Sequence, residues 1–162
     1  MRPETECRRA FAALVKKWIA DGTTVTAMES CTGGYIASLI TDNEGASSVF
    51  GDSIVTYGNE AKIRAGVDPE IIAKYGVYSV QTAEAMAETC RKAFGTDIGI
   101  GVTGSLGRPD PANPGSKVGT VYIAVSCKNK TVSRVYSDIA GETRRESKAM
   151  IACRIAELLK EF

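Results

Sequence analysis

The chain has 162 residues, of which 44% are apolar and 24% charged, and its 20 basic and 19 acidic side chains leave a net charge of +1. That length and balance suit one globular domain able to bury a core without disulfide or metal staples. They exclude the dense basic face of a nucleic-acid binder, and the absence of histidine excludes Ser-His, Cys-His and His-metal chemistry.

The charged N-terminus (Arg2, Glu4, Glu6, Arg8, Arg9) carries no signal-peptide core. Residues 4–20 place Cys7, Phe11, Leu14, Val15 and Trp18 at helical spacing, and Asp21-Gly22 stops that helix. Thr24–Met28 reads as a short buried strand. Ser30-Cys31-Thr32-Gly33-Gly34 follows as a turn, and Tyr35–Ile40 opens a second helix. Asp52–Tyr57 reads as a strand, and Asn59 as the N-cap of a short helix carrying Lys62. Asp68-Pro69 starts a further helix with proline at its first position. Ser79 caps a long Ala- and Met-rich helix running to about Phe94. Ile98–Thr103 is an apolar strand, followed by a Gly- and Pro-rich loop from Gly104 to Lys117. A loop of that length in a compact domain points to function. Thr120–Cys127 and Val132–Ile139 read as a hairpin around Lys128-Asn129-Lys130, and Arg144 to Leu159 makes the last helix. The order αβαβααα, then βββα, predicts an α/β fold: a single three-layer α/β/α domain with a mixed β-sheet over residues 1–162.

The five cysteines (Cys7, Cys31, Cys90, Cys127, Cys153) form no C-x-x-C pair, so neither a zinc cluster nor a redox motif is suggested. Their odd number and scatter fit a reducing compartment, and no apolar run approaches the length of a membrane span. A cytoplasmic protein with a small-molecule substrate is expected, with no nucleic-acid or membrane partner, no metal and no cofactor.

Ligands of open α/β sheets collect beyond the carboxyl ends of the strands. Three stretches can meet there: Glu29 to Gly34, Tyr57 to Lys62, and Thr103 to Gly107. The Gly33-Gly34 pair allows a tight turn, and the following helix N-terminus can hold a phosphate or stabilise an oxyanion. Ser30 is then a candidate nucleophile, although S-C-T-G-G is equally a capped strand-to-helix turn. A serine needs a base, and without histidine that base is Lys, Tyr, Asp or Glu. Lys62 is the natural candidate: a helix N-terminus and partial burial both disfavour its charged form. A solvated surface lysine is the bland alternative. Tyr57 can donate a hydrogen bond, pack on an aromatic ligand, or sit in the core. Cys31 is the rival nucleophile, or a packing residue. Ser47, Ser48, Arg144, Arg145 and Lys148 offer contacts for a phosphate.

Four motifs, taken together, resemble the CinA C-terminal domain family: Glu29-Ser30-Cys31-Thr32-Gly33-Gly34, Val55-Thr56-Tyr57-Gly58-Asn59-Glu60-Ala61-Lys62, Gly101-Val102-Thr103-Gly104, and Val118-Gly119-Thr120-Val121. The resemblance runs from about Thr24 to the last helix. The N-terminal domain of longer family members has no counterpart in these residues. Characterised members are nicotinamide mononucleotide deamidases. The resemblance therefore implies an amidohydrolase that releases ammonia and nicotinate mononucleotide, with Ser30 as nucleophile, Lys62 as base and Tyr57 beside them. It implies substrate contacts from Thr32, Gly33, Gly34, Ser48, Asn59, Thr103, Gly104, Arg144 and Arg145, with N–H groups around Thr32 and Gly33 holding the oxyanion. A homo-oligomer is expected. The alternative is a non-catalytic nucleotide-binding or competence-related module with the same pocket. Two departures stand out. The family commonly continues T-G-I-A-G-P-x-G where this chain has Thr103-Gly104-Ser105-Leu106-Gly107-Arg108-Pro109-Asp110. It also tends to carry G-D-R where this chain has Gly141-Glu142-Thr143-Arg144.

Overall fold

The computed structural model describes residues 2–162. Helix α1 (Pro3–Asp21) has proline in its first turn, with Glu4 and Glu6 beside the positive helix end. It buries Cys7, Phe11, Val15 and Trp18 as one stripe and stops at Gly22, whose φ of 71° lets its N–H reach the Trp18 carbonyl. Strand β1 (Val25–Glu29) is buried throughout. It leads through the 30–34 turn into α2 (Tyr35–Thr41), then to the short strand β2 (Ser53–Val55). Three helices follow: α3 (Asn59–Arg64), α4 (Pro69–Tyr75) and α5 (Val80–Phe94). Asp68 and Ser79 cap α4 and α5 by accepting from the N–H groups of Glu70 and Thr82. Strands β3 (Ile98–Ser105), β4 (Thr120–Cys127) and β5 (Lys130–Tyr136) precede the last helix, α6 (Arg144–Leu159).

The sheet order is β2-β1-β3-β4-β5. β2 and β3 run parallel to β1, whereas β4 is antiparallel to β3 and β5 to β4. Helices α1, α2 and α6 pack together on one face, and α5 lies across β1, β3 and β4 on the other with α4 beside it. The three-layer α/β/α arrangement with a mixed sheet is the one expected from the order of elements.

Period-two alternation in β3 explains how the layers fit. Ile98, Ile100 and Val102 join the large core under α1 and α6. Gly99 and Gly101 alternate with them and face α5. A Cβ on Gly99 would lie 2.2 Å from the Ala87 carbonyl oxygen, and one on Gly101 would lie 2.2 Å from that of Ala83. The helix backbone thus rests directly on the strand. With Ala83 and Ala87 fully buried at the contact, no side chain holds the two elements apart.

Several element ends shift by one or two residues from the sequence reading, β1 to Val25–Glu29 and β3 to Ile98–Ser105 among them, and three differences have a clear local cause. The strand expected over 52–57 spans only Ser53–Val55, because it has β1 alone as partner and leaves the sheet after the Thr56 N–H bonds to the Glu29 carbonyl. The strand expected over 132–139 begins at Lys130, which pairs with Cys127 across a two-residue turn. It ends at Tyr136, and Ile139 bonds instead to the Gly119 carbonyl. Asn59 is not an N-cap: Gly58 holds that position and Asn59 is the first helical residue.

Gly101→Ala should destabilise the fold by about 3 kcal/mol, since the clash is with backbone that no rotamer change relieves. Gly51→Ala, with nothing within 4 Å of the added atom, should shift the urea midpoint little. Equal midpoints for the two variants would show that α5 is free to move off β3.

Candidate active site

The site is built at the carboxyl end of β1. Ser30 continues the strand for one residue, its N–H bonding to the Val102 carbonyl at 3.0 Å, and is then turned out of the sheet by Gly33 and Gly34 at φ 58° and 93°. Glu29, fully buried, holds the turn. Its carboxylate accepts from the N–H groups of Gly34, Ile36 and Ala37 at 3.0, 3.1 and 2.9 Å. This corrects the expectation that the α2 N-terminus is open to a phosphate or an oxyanion, because a protein carboxylate already occupies those donors. Gly33 is likewise committed, its N–H donating to the Ser30 carbonyl at 3.0 Å. The N–H groups of Cys31 and Thr32 are the two in the turn that donate to neither backbone nor side chain among the described residues.

Lys62 meets Ser30 from the other side. The Thr56 N–H bonds to the Glu29 carbonyl at 2.8 Å, which sets the chain after β2 alongside Ser30. Helix α3 then returns Lys62, 1% exposed, so that its Nζ donates to the Thr56 carbonyl at 2.7 Å and lies 3.0 Å from Ser30 Oγ. Among the described residues no carboxylate pairs with the amine. Burial therefore dominates and pulls its pKa from 10.5 down to about 8. The sequence reading assigned part of this shift to the dipole at a helix N-terminus. Lys62 is instead the fourth residue of a six-residue helix, and desolvation is the cause. At pH 7 about one amine in ten is neutral by that value. Cys31 is buried as well, and burial pushes its thiol up to about 12, so it stays protonated and weakly nucleophilic.

Around this pair lies a cleft of two lobes, of about 380 and 270 Å³, which share Ser30, Tyr57, Tyr78 and Asp110. The larger lobe holds Arg108, Arg144 and Gly104; the smaller holds Lys62, Asn59 and Glu60. Arg144, at the start of α6, donates to the exposed Tyr57 hydroxyl at 2.8 Å. Lys148 Nζ sits over the turn, 3.4 Å from where a Cβ on Gly33 would be. The 104–117 loop closes the cleft through Asp110, which accepts from the Tyr78 hydroxyl at 2.8 Å and from Asn113 Nδ2 at 2.6 Å; Asn59 Nδ2 reaches Asn113 Oδ1 at 3.4 Å. A further cavity of about 490 Å³ lies beyond Tyr78 and Asn113 and is lined by neither Ser30 nor Lys62.

The structure thus brings together Ser30, Lys62, Tyr57, Asn59, Gly104 and Arg144, with the turn Thr32-Gly33-Gly34 behind Ser30. Three expected residues fall elsewhere. Ser48 lies at the opposite end of β1: Val49 bonds to Val25, the first residue of the strand, while Ser48 Oγ donates to the Gly45 carbonyl. The strand rise puts it roughly 15 Å or more from Ser30. Thr103 is fully buried and its hydroxyl donates to the Val77 carbonyl at 3.1 Å, tying β3 to the chain before α5. Arg145 turns away to an exposed ion pair with Glu4 at 2.8 Å. Between the two arginines, a helical step of about 100° decides which one faces the cleft. Sequence reasoning missed Glu29, Tyr78 and Asp110. Glu29 and Asp110 stood inside quoted motifs; Tyr78, at the foot of α5, gave no signal. Among the described residues no three or more His, Cys, Asp or Glu side chains are grouped to hold a metal ion.

A mixed α/β/α sandwich with a buried serine–lysine pair at the carboxyl end of its first strand defines the class. The chain belongs to the CinA C-terminal domain family, whose model matches residues 8–161. It is 49% identical over 108 residues, 66% of the chain, to a CinA-like protein of Desulfovibrio desulfuricans, of which that stretch is 25%. The chain spans about a quarter to a third of the length of the curated relatives it matches. Two crystal structures superpose with a TM-score of 0.87 at 28% identity. One is a competence/damage inducible protein of Agrobacterium tumefaciens, with 96% of this chain and 94% of that one covered. The other is a CinA superfamily protein of Escherichia coli, with 98% and 92% covered.

Burying an unpaired amine has a measurable consequence. Because the folded pKa lies below the unfolded one, the unfolded chain binds more protons between about pH 8 and 10.5, and stability rises with pH across that window. Below it the penalty is on the order of 3 kcal/mol. Lys62→Met, which leaves the Thr56 carbonyl unpaired, should still raise stability at pH 7 by about 1–2 kcal/mol. That gain should vanish toward pH 10.5. Chemical denaturation at several pH values measures both, and a variant less stable than the parent at pH 7 would show that the amine is stabilising where it sits.

Proposed function

We propose that the chain is an amidohydrolase that converts nicotinamide mononucleotide to nicotinate mononucleotide and ammonia through Ser30 and Lys62. The observation that carries the reading is Lys62 Nζ, buried without a counter-ion, 3.0 Å from Ser30 Oγ. Neutral Lys62 accepts the hydroxyl proton as Ser30 Oγ bonds to the amide carbon. The Cys31 and Thr32 N–H groups are the donors left for the oxyanion. The C–N bond then breaks, and Lys62 returns its proton to the departing nitrogen, releasing ammonia. Water attacks the acyl-serine and gives a proton to Lys62; the C–Oγ bond then breaks, Lys62 returns that proton to Ser30 Oγ, and the acid product leaves as its carboxylate with its own proton lost to solvent. A positively charged pyridinium withdraws electrons from its carboxamide, so the attack needs no metal. Arg144, with Lys148 nearby, supplies charge for the substrate phosphate. The five free thiols support a cytoplasmic setting.

The changed loop from Ser105 to Asp110 favours the second reading, a binding module with the same pocket. Ammonia release by the purified chain separates the two. Ser30→Ala and Lys62→Met should each lower kcat by about a thousandfold or more, and the double variant should be little worse, because the two act as a unit. Lys62→Arg should not rescue, since guanidinium keeps its proton. Cys31→Ala should retain most activity. The wild-type rate should climb with pH through about 8 and level off above it, as Lys62 loses its proton. A pH-independent rate, or an active Lys62→Met, would assign the base elsewhere.

The phosphate site has its own test. Nicotinamide riboside should be poorer than the mononucleotide in kcat/KM by about 30- to 1000-fold, the value of two or three charge-assisted contacts. Arg144→Ala should narrow that gap, whereas Arg145→Ala, which removes an exposed ion pair, should not.

A further inference from the structure

Asp110 stands where the family pattern T-G-I-A-G-P-x-G has its last glycine. It takes no part in the chemistry assigned to Ser30 and Lys62, yet many bonds hold it. Its Oδ2 accepts from the Tyr78 hydroxyl and Asn113 Nδ2, its Oδ1 accepts from the Ala112 N–H at 2.9 Å, and its own N–H donates to Ser116 Oγ at 3.0 Å. All of these partners are neutral. No ion pair recorded among the described residues includes Asp110. The donors hold its carboxyl below the usual carboxylate range, so it is an anion at neutral pH.

Its place in the cleft gives that charge a use. Asp110 lines both lobes together with Ser30, Tyr57 and Tyr78. Arg108 and Arg144 stand in the larger lobe and Glu60 in the smaller. The cleft therefore runs from net positive, where Arg108 and Arg144 outweigh Asp110, to net negative, where Glu60 and Asp110 outweigh Lys62, with the serine and two tyrosines shared between its ends. A zwitterion fits that polarity when its anionic group points toward the arginines and its cationic group lies at the serine. Tyrosine faces also favour a cation over a neutral ring.

We propose that Asp110 makes this cleft selective for a substrate whose amide-bearing ring is positively charged, over a neutral ring of the same shape. The proposal rests on the amide-hydrolysis reading and names the feature of the substrate that the altered loop recognises. Tyr78 and Asn113 are positioning residues that aim the carboxylate.

The test compares two ligands that differ in ring charge alone: nicotinamide mononucleotide, and the benzamide C-nucleotide 5′-phosphate, which is planar and neutral. Titration calorimetry on the full chain carrying Ser30→Ala measures binding without turnover. The phosphate contributes equally to both ligands, so the ratio of affinities isolates the ring. The cationic ligand should bind about five- to tenfold tighter, as expected for one carboxylate acting across a partly solvated cleft. Asp110→Asn can still accept from Tyr78 and Asn113. It should cut that preference below twofold by weakening the cationic ligand alone. With the loop unmutated, the preference should also shrink as salt is raised, which keeps the proposal testable if the variant folds poorly. A preference unchanged in Asp110→Asn and insensitive to salt would overturn the proposal. So would an equal loss for both ligands, which would make Asp110 a loop brace. If neither ligand binds, the amide-hydrolysis reading itself fails. If both bind alike, that reading stands and the role of Asp110 does not.

Discussion

An amine buried without a counter-ion is the constraint around which the site is arranged. Lys62 is nearly inaccessible to solvent, and its partners are the Thr56 carbonyl and the Ser30 hydroxyl, neither of which carries charge. A carboxylate in that position would keep the amine protonated and useless as a base. The one buried carboxylate nearby, Glu29, is spent on three backbone N–H groups at the start of α2. Two adjacent residues thus divide the work: Glu29 makes the turn rigid, and Ser30 is left facing the amine.

The sheet supplies the precision of this arrangement. Ser30 is anchored to β3 through Val102, and Thr56 to β1 through Glu29. The two walls that meet at Lys62 are therefore extensions of hydrogen-bonded strands. β3 is held in turn by the glycine contact with α5 on one face and by the Ile98, Ile100 and Val102 core on the other. Residues placed in this way are held in register, which suits the proposed proton transfer between Ser30 and Lys62.

The opposite wall is made differently. The 104–117 loop has no sheet partner over most of its length and relies on polar contacts centred on Asp110. Change in such a loop alters what the cleft accepts while leaving Ser30 and Lys62 in place. The departure of this chain from the family pattern falls in that wall and spares the sheet side.

Much of this was legible in the residues. Hydrophobic period and caps placed the α-helices and strands to within a few residues, though not the short 3-10 turn at Ala46–Ser48, because stripes such as Cys7-Phe11-Val15-Trp18 and stops such as Gly22 act locally. The absence of histidine left few groups able to serve Ser30 as a base, and Lys62 was the natural one. Tertiary structure alone decided the rest. Thr103 and Ser48 read as ligand contacts because a hydroxyl near a strand end looks the same whether it points to the cleft or to a carbonyl; the register of β1 and the path of the 76–79 chain settled their places. Arg144 and Arg145 are adjacent in sequence and chemically identical, so which one faces the cleft depends on how α6 is rotated against α1. The lowered pKa of Lys62 is likewise a property of packing: no local pattern records how far water is excluded from an amine seven residues beyond an edge strand.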